Sequence, residues 1–224
     1  MDPNAANPGE VQQIARAFEA LRQFAGKRRY RVELCELCRM ELPEEHPHLV
    51  ELYKKRMLCT CDACAMLFSG HAGSKYRRVP RQVRRIPGFR MTDAEWDGLR
   101  IPINLAFFLK NSSEQRVTAM YPSPAGATES LLSLEAWNGI VQANPVLHEL
   151  EPDVEALLVN RVTQQHENLG HYYMVPVDTC YRLVGLIRIH WRGLSGGTEV
   201  WQEIAKFFGE LESRAQVVQE STHA

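Results

Sequence analysis

Five cysteines within thirty residues constrain this chain more than any other feature. They follow the pattern C-x2-C-x20-C-x-C-x2-C from Cys35 to Cys64. In a C-x2-C pair the two intervening residues form a tight turn whose amides face the sulfurs, so both thiolates reach one tetrahedral ion. Two such turns, brought together by short strands, complete a four-thiolate site. Cys35 and Cys38 are the first pair, and Cys61 and Cys64 the natural second. Cys59 is one cysteine too many: it either replaces Cys61 or lies beside the site, and His46 and His48 are further ligand candidates. A structural thiolate site supplies on the order of 10 kcal/mol, enough to fold a short segment with little apolar core of its own.

The rest of the composition sets the background. Of 224 residues, 45% are hydrophobic and 24% charged, the balance of a globular chain, and the formal net charge is −1. That charge gives no general electrostatic case for nucleic acid or an anionic membrane. The start, residues 1–10, has neither a basic n-region nor an apolar h-region, and the longest strongly apolar run, Ile103 to Leu109, is too short to cross a membrane. These features predict a cytoplasmic chain without a membrane span, whose cysteines serve as reduced thiols, metal ligands or catalytic groups rather than a disulfide framework.

Periodicity predicts an α+β protein. An amphipathic helix is expected from Glu10 to Ala25, within an N-terminal segment of residues 1–29. A cysteine-rich, zinc-ribbon-like module spans 30–74, and a basic linker or edge strand, with Lys75, Arg77, Arg78, Arg81, Arg84 and Arg85, lies in 75–90. A larger α+β domain spans 91–214, with a tail at 215–224. Within it, Thr92-Asp-Ala-Glu95 is a capping box. Ile101 to Leu109 and Arg116 to Tyr121 read as a hairpin, and residues 122–127 as a turn-rich loop. Helices are expected over 132–143 and from Pro152 to Asn160, and a strand from Tyr172 to Val177. Cys180 to Trp191 alternates like a strand, but Asp178 in front is a good N-cap, which favours helix. A last amphipathic helix carries Val200, Trp201, Ile204, Phe207, Phe208 and Leu211 on one face.

Other chemistry is weaker. Cys180 near a helix start would need a histidine base, and His166, His171 and His190 are the candidates; a buried structural cysteine is the simpler reading. Gly193-Leu-Ser-Gly-Gly197 lacks the ending of a phosphate loop and reads as a turn. No nucleophile elbow surrounds Ser123 or Ser130. The basic stretch has one aromatic, Tyr76, which argues for a solvated edge or an acidic partner rather than nucleic acid.

The metal follows from the donors, since zinc and iron both accept four thiolates. Knuckles of the ribbon and rubredoxin types often place glycine after the second cysteine, where it eases the amides toward sulfur. Here Arg39 and Ala65 stand there. The departure weighs more against iron, whose redox tuning uses those amides, so zinc is expected and iron is the alternative.

Several segments together resemble a bacterial family of unknown function, DUF5947. They are Cys35-Glu-Leu-Cys38, Leu58-Cys-Thr-Cys-Asp-Ala-Cys64 with Leu67-Phe68, Tyr121-Pro-Ser-Pro-Ala-Gly-Ala-Thr-Glu-Ser130, Asn144-Pro-Val-Leu147 with Glu151-Pro-Asp-Val-Glu155, and Gly193-Leu-Ser-Gly-Gly197 with Glu199-Val-Trp201. The resemblance spans about residues 30–212. It implies no established activity. It implies a genomic setting near uptake [NiFe]-hydrogenases, hence an accessory or maturation role with a hydrogenase subunit or maturation factor as protein partner. The expectation is therefore a non-enzymatic, zinc-binding interaction protein, with a rubredoxin-like iron electron carrier as the alternative.

Overall fold

Three strands of this chain are apolar on both faces, which forces a layered arrangement with helices on either side of a sheet. In the computed structural model, which describes residues 32–71, 73–130, 134–162, 170–193 and 195–218, they are β5 (Leu105–Asn111), β8 (Glu155–Asn160) and β9 (His171–Pro176). They sit inside a seven-stranded sheet of order β10-β4-β9-β8-β5-β6-β7, with β4 at Arg84–Arg85, β6 at Arg116–Ser123, β7 at Gly126–Ser130 and β10 at Gln216–Val217. Every pairing is antiparallel except that of β10 with β4. All of this belongs to one compact unit, residues 34–224.

Alternation sorts the side chains. Leu105, Phe107, Leu158, Tyr173 and Val175 meet Cys180, Leu183, Ile187, Val200, Ile204 and Phe207. Those come from α4 (Val177–His190) and α5 (Gly197–Arg214). Their neighbours Ala106, Phe108, Leu157, Val159 and Met174 face the other way, onto Trp96, Trp137, Ile140 and Leu147. These belong to α2 (Asp93–Gly98), α3 (Leu134–Ala143) and a 3-10 turn at Pro145–Glu149. Each large side chain so buried contributes about 1.5–3 kcal/mol.

Several expectations hold. The capping box at Thr92 and Glu95 is present in both directions. The β5–β6 hairpin forms, with Asn111 Oδ1 accepting from the backbone N–H groups of Ser113 and Glu114 in its turn. The segment after Asp178 is helical. α5 buries Val200, Ile204, Phe207, Phe208 and Leu211 of its expected stripe while Trp201 is exposed, and it starts after Gly196, where φ is +88° and an added Cβ would come within 2.9 Å of Val200.

Others do not. Pro152 to Asn160 is not a helix: β8 occupies its second half, with every residue buried. An apolar run covered on both sides carries no period, so its pattern fits either element. Residues 122–127 are no open loop. β6 and β7 run through them and pair Ser123 with Gly126 around a two-residue turn, and Gly126 closes that turn at φ +127°, a conformation glycine adopts without steric cost. Asp178 lies inside the first turn of α4, whose N-cap is Pro176, without a side-chain bond. The helix expected over 10–25 lies outside the described residues.

The second sheet has three antiparallel strands, β2-β1-β3: β1 at His48–Glu51, β2 at Arg56–Cys59 and β3 at Tyr76–Arg78. Leu49 and Leu58, cross-strand partners, pack under Ala65 of helix α1 (Asp62–Ser69). Val50, on the opposite face, joins Val79, Val154 and Val177, which fastens the small sheet to the large one. The basic stretch supplies strands to both sheets. Four of its five named arginines pair: Arg77 with Asp153, Arg78 with Asp62, Arg84 with Glu149 and Glu155, Arg85 with Glu212.

Candidate metal centre

Cys35 begins a tight turn. Its N–H donates to the Met40 carbonyl at 2.7 Å, and its own carbonyl accepts from Arg39 N–H at 2.8 Å. The chain closes on itself as a one-bridge hairpin, Leu34 against Glu41. Arg39 takes the left-handed conformation, φ +67°, at the position where glycine is usual. The missing glycine therefore does not abolish the knuckle; it leaves a strained arginine in it, at about 1–2 kcal/mol. Glu36 ties this turn to β2, its N–H donating to the Cys59 carbonyl at 2.9 Å and its carboxylate accepting from Cys59 N–H at 3.0 Å.

The second pair is built differently from the expected second knuckle. Cys61 is the N-cap of α1, and Cys64 stands one turn on, so the same two-residue gap places both thiols at a helix N-terminus. Cys61 Sγ accepts from Cys64 N–H at 3.5 Å.

Cys35, Cys38, Cys61 and Cys64 come together, with their sulfurs within 4.8 Å of one another. Cys38 and Cys61 sulfurs are 3.7 Å apart. A tetrahedral ion with thiolates at 2.3 Å sets its sulfurs about 3.8 Å apart, whereas a disulfide needs about 2.0 Å. No disulfide forms among the six cysteines. Three of the four thiols are buried and Cys38 is exposed. Burial raises the Cys35 thiol, but amides of Cys38, Cys61 and Leu37 aimed at its sulfur outweigh that and lower it to about 6. Burial and the adjoining sulfurs hold the Cys64 proton firmly. The donor set, spacing and amides fit a metal ion, and the cluster could hold one.

Comparison with known families agrees with these residues. A family model matches residues 34–215, most of the chain. The chain belongs to the DUF5947 family, described as a family of unknown function. No curated protein and no solved structure matches it. In this DUF5947 chain the match covers the four cysteines and every strand of both sheets except β10.

Cys59 does not enter the four-sulfur cluster. With His46 and His48 it forms a separate group whose donor atoms also lie within 4.8 Å of one another. Asp178, 130 residues away, bonds His48 Nδ1 at 2.9 Å, and no sequence signal paired them. The remaining candidates are structural. Cys180 is fully buried in the core, and desolvation, then the Asp178 charge, push its thiol well up, the opposite of an activated nucleophile. His190 pairs with Glu199 and His171 stacks on Tyr173; His166 lies outside the described residues. Ser123 Oγ donates to the Gly126 carbonyl within its hairpin turn. Trp191 Nε1–H donates to the Gly193 carbonyl in the glycine-rich turn before α5. Four of the six cations in the basic stretch, Arg77, Arg78, Arg84 and Arg85, are drawn onto carboxylates. No described helix is long and apolar enough to cross a membrane.

Proposed function

We propose that this DUF5947 chain is a non-enzymatic zinc protein whose Cys35, Cys38, Cys61 and Cys64 hold a structural ion. The observation that carries this reading is the closed donor set: four thiolates fill all four tetrahedral corners and leave no position for a substrate. The ion would join the knuckle to the start of α1 across a module whose own apolar core amounts to a few side chains, among them Leu42, Leu49 and Leu58. Metal binding is then folding energy for this segment.

What the module shows to solvent supports an accessory role. Helix α1 turns Met66, Leu67 and Phe68 outward, 64, 62 and 40% exposed, and Met40 just after the knuckle is exposed too. Consecutive exposed apolar side chains beside a rigid metal site suit a protein partner. A hydrogenase subunit or maturation factor is the partner that the family resemblance suggests. Replacing Met66, Leu67 and Phe68 by serine should leave the metal in place and abolish co-purification of that partner from hydrogenase-expressing cells. Undiminished co-purification would remove the role assigned to α1.

Iron in the same thiolates is the second reading, favoured by one observation: the left-handed Arg39 lets the knuckle amides approach sulfur without glycine, and such amides tune a redox ion. It predicts a red protein with a reversible one-electron couple. The zinc reading predicts a colourless one.

A further inference from the structure

We infer that His46, His48 and Cys59 form a second metal site, distinct from the four-cysteine cluster, that takes a divalent ion of the zinc class with its fourth position open. The backbone places all three. His48 and Cys59 are cross-strand partners at the ends of β1 and β2. His46, two residues before His48, brings its ring to 4.9 Å from the His48 ring, edge to face. One donor atom from each residue lies within 4.8 Å of the others, and all three side chains are half-buried.

Hydrogen bonding fixes which nitrogens can bind. His46 Nδ1 lies 2.9 Å from the Pro43 carbonyl oxygen, which only accepts, so Nδ1 carries the proton and Nε2 keeps its lone pair. That Nε2 is buried without a hydrogen-bond partner among the described residues. Buried acceptors are rarely left so, because their desolvation goes uncompensated. His48 Nδ1 lies 2.9 Å from Asp178 Oδ2, and the carboxylate likewise directs the proton to Nδ1 and the lone pair to Nε2. Carbonyl or carboxylate on one ring nitrogen and metal on the other is how ligand histidines are oriented and made more basic. A thiolate and two imidazoles form a borderline set suited to zinc, and to cobalt as its spectroscopic substitute. Three protein ligands leave the fourth corner for water or a small anion. This site draws a residue of α4, in the larger domain, into the environment of a metal held by the small sheet, so its occupancy fastens the two sheets together.

The test is a Co2+ titration of the reduced full-length protein, followed by visible absorption and metal analysis after gel filtration. The site predicts about two ions per chain, with the second adding tetrahedral cobalt bands and one thiolate charge-transfer band. Cys59→Ser and His46→Ala should each remove one ion and leave the four-thiolate spectrum, which also reports that the module is folded. Asp178→Asn should weaken the second ion by about 10–100-fold and leave the first unchanged. Cys64→Ser should remove the four-thiolate bands, so failure of either site is seen separately. Binding that saturates at about one ion in the wild type, or two ions retained in Cys59→Ser, would overturn the inference.

Discussion

At residue scale, the position after each cysteine pair decides the local backbone. Arg39 holds a left-handed conformation in which glycine is free of steric cost. Arg39→Gly should raise stability by about 0.5–1 kcal/mol, a few degrees in Tm, with unchanged metal content; a lower Tm in thermal melts would show that the arginine side chain, not the turn, matters. Cys180 makes the opposite point. It sits at 0% exposure among Val, Leu and Phe side chains, so native protein should resist alkylation there over a time in which unfolded protein reacts fully. Cys180→Ala should leave metal content untouched. The cysteines were legible in sequence because ligand spacing is local. The Asp178–His48 contact was not, since it depends on two elements 130 residues apart being packed together.

At the scale of elements, periodicity succeeded where one face meets water and failed where neither does. α5 shows a stripe from Val200 to Leu211 and was legible from that pattern. β8, with six residues buried in a row, was mistaken for the tail of a helix. Leu158→Ala, at the centre of β8, should cost roughly 2–5 kcal/mol in denaturant unfolding, by lost burial and the cavity left between β8 and α4. Glu155 is another element-scale fixture. It accepts from Arg84 at 3.0 Å and from the Glu151 N–H at 3.0 Å while its side chain is only 7% exposed. Glu155→Ala would leave Arg84 without this partner and should destabilise by about 3 kcal/mol; a change below about 1 kcal/mol would show that Glu149 and water replace it. The basic stretch reads as a linker or edge strand, and β3 is indeed an edge strand of the small sheet; proline and charge hide the short β4 inside the large one, and β3 and β4, of three and two residues, take their order from the sheets they join.

At the scale of the molecule, two kinds of stabilisation coexist. The seven-stranded sheet is held by apolar layers on both faces, and the small sheet by a thin core and the cysteine cluster. Chelation should therefore unfold the two parts unequally. Hydrogen exchange should rise across residues 34–69 while β5, β8 and β9 stay protected; uniform loss of protection would mean that the domain fold itself depends on the ion. The most direct test of the central claim compares metal content and visible spectrum in the wild type and a Cys61→Ser, Cys64→Ser double variant, both purified anaerobically without added metal. A structural zinc ion on these thiolates predicts a colourless wild type containing zinc and a loss of about one zinc per chain in the variant. An equal zinc content in the two proteins, or a red wild type carrying iron, would contradict it.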